Sequence, residues 1–413
     1  MNETRQHTHR RHAAPESKYY EPHRRQSAPP SLYALLTPLL IVLSVLALRW
    51  LVLSVQSDVV LQQQGEAPAV GMQLRNRTAK AEVMGGLDVF AYNAASDALS
   101  DLVYIKKIYK IPENDLVAPM PNPEKFGVTS DPAEVQAVVE SAAALIDGRE
   151  LIWSPDIERM EDSTMRYYCD DTILAVTWKE GIDGSAVTFA EIIIADGSQL
   201  RRALSGNAFG SSVRMKATEM ATAANAVIAI NGDFYDNRQI GLSVYQRQIC
   251  RNKGTALDSC FFTASGDMLM THHGELVSDE DVEKFIKEND AIFAVSFGPI
   301  LVEDGQLQTI NSYAVGEIDS TYSRAAIAQK GQLHYLLMTI GQEGRYAKRC
   351  NINEAAKIIF AKGIDKAYAL DGGQTATMVM QGQTVNRVDW DEERTMSDII
   401  YFATALPGGE VKP

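Results

Sequence analysis

Cysteine is scarce in this 413-residue chain, with four residues at positions 169, 250, 260 and 350 and no C-x-x-C pair. That removes the usual thiolate zinc frameworks and the thioredoxin-like redox centre. Histidine is scarce as well. Beyond residue 55 there are only His272, His273 and His334, with neither H-x-H nor H-x-x-H spacing. No repeating period is present, which excludes solenoid and propeller arrays. Basic charge is outweighed: 39 Lys/Arg stand against 53 Asp/Glu, for a net charge of -14. Residues 1–31 nevertheless hold six Lys/Arg and three Asp/Glu, so the rest of the chain is more acidic than the whole. Such a body argues against nucleic-acid partners, and an anionic ligand would need a local basic residue to hold it.

One long hydrophobic run is present. Residues 32–55, LYALLTPLLIVLSVLALRWLVLSV, contain a single charge, Arg49, near the end and beside Trp50. A bilayer needs ~20 mostly apolar residues, and Arg49 can snorkel to the interface. A cleaved signal peptide has a shorter apolar core and small residues at its end, and a buried helix would show a polar face. The run predicts one transmembrane helix. The basic flank keeps the N-terminus cytoplasmic and sends the C-terminal domain out of the cytoplasm. In that compartment Cys250 and Cys260, bracketing a short polar segment, predict a loop disulfide. Cys169 and Cys350 are left without an assigned partner.

The predicted organisation is a disordered tail over 1–31, the membrane helix over 32–55, a stalk over 56–82, a small module over 83–160 and a main domain over 161–413. Asp131-Pro132-Ala133-Glu134 opens a helix, with a cap, a first-position proline and an acid in the first turn. From about residue 165, runs rich in β-branched residues predict strands, among them 172–178, 186–194, 226–230, 291–295, 324–328, 333–339, 367–370 and 399–403. Residues 215–224, 279–288 and 354–362 read as helices, the last with Asn351 as cap and Gly363 just past its end. The fold class expected is α+β, mixed, with a largely β core and flanking helices.

Three segments place polar groups at or just past apolar strands: Asn231-Gly232-Asp233-Phe234-Tyr235, Arg324 in Ser-Arg-Ala-Ala-Ile-Ala, and Asp371-Gly372-Gly373-Gln374-Thr375-Ala376-Thr377. A carboxylate at a strand end, followed by glycines whose amides can approach an anion, suits a ligand site. It equally suits a tight turn. Asn231-Gly232 reads as well as a hairpin turn. Arg324 within an apolar strand needs a partner, either a bidentate carboxylate or phosphate or a structural salt bridge.

In order and spacing, these segments resemble the phosphodiester glycosidase family over about residues 165–405. The resemblance also rests on Ser296-Phe297-Gly298-Pro299-Ile300-Leu301 with Asp304-Gly305, and on the closing Arg394-Thr395-Met396-Ser397-Asp398-Ile399-Ile400. Where the family often has a second glycine, Gly-Ser or a strand-ending glycine, this chain has Asp233, Gln374-Thr375 and Ala328. The resemblance implies hydrolysis of a sugar-1-phosphodiester, with a carbohydrate phosphodiester or envelope glycan as partner and no cofactor. It implies Asp371 as the catalytic carboxylate, with Asp233 as a second carboxylate or a metal ligand. Asn231, Arg324, Gly372, Gly373, Gln374, Thr375 and Thr377 would bind substrate. The alternative is a non-catalytic envelope protein that binds a phosphosugar polymer. A metal-dependent phosphodiesterase would need a His/Asp cluster that the three distal histidines do not supply.

Overall fold

The computed structural model describes residues 110–406 apart from 234, 254–255 and 315–317. The predicted tail, membrane helix and stalk, and the start of the 83–160 module, lie outside these residues. Among the described residues, no helix is long and apolar enough to cross a membrane.

The longest strands form a hairpin. Ile173–Ile182 and Ser185–Ile194 pair through the turn Asp183-Gly184, both at positive φ. Asp-Gly is the favoured chemistry for a turn whose twist matches that of its strands. Residues along the second strand alternate between two cores. Val187, Phe189 and Ile193 face one, while Ala190, Ile192 and Ile194 face the other. A period of two with both faces apolar marks a strand covered on both sides.

This hairpin lies in a nine-stranded sheet. Its order is Phe126–Thr129, Met165–Cys169, Ile173–Ile182, Ser185–Ile194, His334–Gly341, Arg324–Gly331, Lys366–Leu370, Ile300–Glu303 and Gln306–Leu307. One face is covered by helices Pro132–Ser141 and Ile352–Phe360, through Val135, Val139, Ala355, Ala356 and Ile359. Asp131 and Asn351 cap these helices as the sequence predicts, the latter with Glu354 in a reciprocal capping box. The first described strand thus joins the same sheet as the main domain.

Two five-stranded sheets cover the other face. One runs Gln383–Thr384, Met378–Met380, Ile228–Asn231, Asp398–Phe402, Leu200–Leu204. The other runs Met268–Thr271, Ser259–Thr263, Ala291–Val295, Gly241–Tyr245, Gln248–Lys253. Strand neighbours in all three sheets are antiparallel. Helix Ala217–Ala223 packs outside the first and Asp279–Asn289 outside the second. The fold is α+β with a largely β core. Burying a Phe or Ile side chain stabilises by roughly 1.5–3 kcal/mol, so the shared core of Ile192, Ile228, Phe262, Phe293, Leu337 and Phe402 binds all three sheets together.

The sheet order corrects the disulfide expectation. Cys250 lies on the edge strand Gln248–Lys253 and Cys260 on Ser259–Thr263, with Gly241–Tyr245 and Ala291–Val295 between them. Three strand spacings are about 14 Å, twice the reach of a disulfide between Cα atoms. All four cysteines are free thiols. The two cysteines are close in sequence but lie on strands with two others between them.

His334 is structural. It is buried in its strand, with Nε2 2.6 Å from Glu191 Oε1. The two Glu191 oxygens also accept the amides of Ile152 and Trp153, each at 2.7 Å.

Candidate active site

Strand Lys366–Leu370 runs beside Arg324–Gly331, with Leu370 opposite Ala325. Asp371 therefore emerges at the end of one strand next to the start of the other, where Arg324 sits. Both residues line a cleft of about 470 Å3 with Gly372, Gly373, Arg238 and the Phe297-Gly298-Pro299 turn.

Three distant segments meet at this point. The Asp371 amide donates to the Gly232 carbonyl at 3.3 Å. Asn231 Nδ2 donates to the Asp371 carbonyl at 2.8 Å, and Asn231 Oδ1 accepts the Thr377 amide at 3.1 Å. Asn231 is fully buried, and its amide group is committed to the backbone on both sides. It ends strand Ile228–Asn231 and is no hairpin turn.

The Asp371 carboxylate is buried. Oδ1 accepts the Gly372 amide at 3.0 Å, while Oδ2 is enclosed and makes no well-formed hydrogen bond among the described residues. Loss of hydration pushes its pKa up to about 6, against the pull of Thr375, Arg238 and Arg394. Arg324 reaches into the same cleft. Its Nε donates to the Cys350 carbonyl at 3.2 Å and Nη2 to the Ser320 carbonyl at 2.6 Å, which fixes the guanidinium.

The glycine pair plays a different part from the one anticipated. The Gly372 amide is taken by Asp371 Oδ1 and the Gly373 amide by the Ser323 carbonyl at 2.7 Å. They do not offer the free amide donors expected of them. Their value is close approach, since a Cβ on Gly372 would stand 2.6 Å from the Ser323 carbonyl oxygen. Gln374 donates to the Glu392 carbonyl at 3.0 Å and so ties two loops together. The Thr375 and Thr377 side chains are buried, and neither hydroxyl has a geometrically well-formed partner among the described residues.

Asp233 lies behind the cleft wall. One carboxylate oxygen accepts the Ser296 amide at 3.1 Å and the other has no partner among the described residues. Burial pushes its pKa up, and Arg202 opposes that most strongly. Arg202 is itself fully enclosed. Its Nε donates to Asp398 Oδ2 at 2.6 Å, and its Nη1 to Ser243 Oγ and to the Val244 and Ala294 carbonyls. Asp398 is lifted to about 7, because burial outweighs the arginine and Asp233 repels it. This cluster explains Gly232, where a Cβ would stand 2.4 Å from Asp398 Oδ2.

Sequence reasoning assigned no role to Arg238 or Arg202. Arg238 stacks over the Phe297 ring at 4.2 Å to the centroid, where a guanidinium is favourably held. Its signal was its place shortly after the Asn231 motif. For Arg202 the signal was an arginine inside a short strand, Leu200–Leu204, the same one that singled out Arg324. Among the described residues no group of three or more His, Cys, Asp or Glu side chains is placed to hold a metal.

The chain is 22% identical over 203 residues to the SPbeta prophage-derived uncharacterized protein YomE of Bacillus subtilis (strain 168), covering 47% of this chain and 30% of that one. It thus spans about a third of that relative's length. Among solved structures it is similar to the zebrafish N-acetylglucosamine-1-phosphodiester alpha-N-acetylglucosaminidase catalytic domain auto-inhibited by pro-peptide. That match has 15% identity, covers 56% of this chain and 82% of the other, and gives a TM-score of 0.43. A hypothetical protein from Synechocystis matches at 15% identity over 56% of this chain and 62% of its own, with a TM-score of 0.40. The phosphodiester glycosidase family model matches residues 224–403, the stretch that holds Asn231, Arg238, Arg324, Asp371 and Asp398, and the resemblance read from the motifs is borne out there.

Proposed function

We propose that this chain hydrolyses a sugar-1-phosphodiester, releasing the sugar from the phosphate. One observation carries the reading: Asp371, a buried carboxylate whose Oδ2 makes no well-formed hydrogen bond among the described residues, lines the same cleft as two arginines, Arg238 and Arg324. The bond that breaks joins the anomeric carbon to the phosphate oxygen. Positive charge builds at that carbon as the bond lengthens, and a fixed carboxylate stabilises it. The electron pair leaves with the phosphate, whose charge the arginines hold. Water adds to the anomeric carbon and its proton passes to solvent. Phosphate leaves readily, so strong general-acid help is less needed than for an ordinary glycoside. With a pKa of about 6, Asp371 is mostly ionised at neutral pH.

The setting is part of the proposal. Residues 32–55 anchor the protein in the cell membrane, and the domain acts outside the cytoplasm on an envelope or exopolysaccharide glycan. The apolar run and its basic flank support this. Protease added to intact cells should then remove the domain and spare the tail; a protected C-terminus rejects the orientation.

The deciding experiment is product analysis on a panel of sugar-1-phosphodiesters, with and without chelator, in 18O-labelled water. The reading predicts free sugar labelled at its anomeric oxygen and an unlabelled phosphomonoester. Label in the phosphate would mean P–O cleavage and a different enzyme. Saturable binding without turnover would favour the phosphosugar-binding alternative.

A further inference from the structure

Trp390 is the most exposed large hydrophobic residue described, with 75% of its surface accessible. Its backbone is left-handed, at φ 60, and Asp391 follows at φ 56. A bulky residue in that conformation is an outlier that persists only where its surroundings impose it.

Those surroundings are well defined. Asp389 Oδ1 accepts from Ser323 Oγ at 2.7 Å and lies 3.0 Å from Arg349 Nη2. Arg387 grips Asp391 with two bonds, at 2.6 and 2.7 Å. The Glu392 carbonyl receives Gln374 Nε2, and Glu393 receives the Thr218 amide and hydroxyl. Val388 is buried. The loop is therefore pinned on both sides of Trp390, and the indole is left exposed.

The pinning partners place it. Ser323 precedes Arg324, and its carbonyl holds the Gly373 amide. Gln374 continues the Asp-Gly-Gly segment. Trp390 is thus one residue from Asp389, which holds the neighbour of the cleft-lining Arg324, and two from Glu392, which holds the neighbour of the cleft-lining Gly373. An indole is a flat, rigid, amphipathic surface that loses little entropy on binding. The ligand such a plate fits beside a sugar site is the apolar C–H face of another pyranose ring.

We infer that Trp390 is an outer subsite that stacks a further sugar ring of a glycan whose phosphodiester lies in the cleft. The inference rests on the reaction proposed above and names its substrate class as an oligosaccharide or polysaccharide rather than a lone sugar phosphodiester. Trp390 is a binding residue, remote from the reacting atoms.

The test compares the full-length chain with Trp390→Ala and Trp390→Phe. An array of α- and β-linked hexose and N-acetylhexosamine oligosaccharides, free of phosphate, is scored for binding and for quenching of tryptophan fluorescence. Turnover is measured on sugar-1-phosphodiesters with a methyl aglycone and with an oligosaccharide attached. The expected result is oligosaccharide binding lost at least tenfold in Trp390→Ala and retained within threefold in Trp390→Phe. For the oligosaccharide substrate KM should rise about tenfold with kcat within twofold, and the methyl substrate should be unaffected. Array binding needs no catalysis, so a chain that binds glycans through Trp390 yet hydrolyses nothing would retain the subsite and discard the reaction. A chain that hydrolyses both substrates equally in wild type and Trp390→Ala, with no Trp390-dependent array binding, would overturn the subsite and keep the reaction.

Discussion

Asn231 donates its side-chain amide to the main-chain carbonyl of Asp371 at 2.8 Å, 140 residues away in sequence. The catalytic carboxylate of the proposed reaction thus hangs from a peptide unit held by a buried side chain. Asn231→Ala strands the Asp371 carbonyl and the Thr377 amide together. Each unsatisfied buried group costs about 1–3 kcal/mol, so denaturant unfolding should show a loss of about 2–6 kcal/mol. The turnover number should fall with it, while Asn231→Gln, longer by one methylene, should rescue neither.

Asp371→Asn separates activity from stability. Its carboxyl is pushed up to about 6 from 3.8, so the native state binds this proton more tightly than the unfolded chain does. Stability from this group is full below about 3.8 and falls as pH rises to about 6. Above that the cost reaches on the order of 3 kcal/mol. The Asn variant should therefore melt higher than wild type at pH 7.5 and no higher at pH 3.5. Its turnover number should drop ~1,000-fold or more, the scale expected when a transition-state charge partner is lost. Full activity would leave the glycosidase reading without its carboxylate.

The same titration sets the acid limb of the rate profile. Catalysis needs ionised Asp371, so kcat/KM should rise with pH through about 6. Arg238 favours the ionised form. Arg238→Ala should move the limb to higher pH and also raise KM, because a phosphate-holding cation is lost. A limb that stays in place would mean that another group governs it.

Arg202 holds the buried acids behind the cleft. Removing one member of a buried ion pair costs about 3–5 kcal/mol, because its partner remains charged or must take up a proton. Arg202→Met should lose that much in denaturant unfolding. Adding Asp398→Leu should recover part of it, which a double-mutant cycle would measure.

Much of the fold was legible in the sequence. Ala291–Val295 and the helix caps at Asp131 and Asn351 lie where periodicity and capping chemistry put them. Strands such as Leu200–Leu204 and Gln248–Lys253 were missed because they carry arginines and polar residues whose partners only the tertiary fold supplies: Arg202 bonds Asp398 on the neighbouring strand and the Ala294 carbonyl of another sheet, and Arg251 bonds the carbonyls of Tyr235 and Arg238. The Cys250–Cys260 expectation failed for a related reason, since nearness in sequence says nothing about strands inserted between two positions from elsewhere. At the site, the Asn231, Arg324 and Asp371 segments were visible as polar residues in apolar surroundings. What the glycine amides bind was not visible, because the Ser323 carbonyl that takes one of them is a long-range neighbour.

Residues 371–377 join a strand of the nine-stranded sheet, Lys366–Leu370, to a strand of a five-stranded one, Met378–Met380. Asn231 touches both ends of this passage, at Asp371 and at Thr377. A single inserted or deleted residue would shift Met378–Met380 by one place. Met378 and Met380 would then exchange faces with Val379 between two separate cores. Substitution changes what this passage carries, but its length is under a separate and stricter constraint. Variation in chain length has to go elsewhere, to turns such as those at Gly274 and Gly344, where nothing stands within 4 Å of an added side-chain carbon. The segment between Asp371 and Met378 works as a ruler.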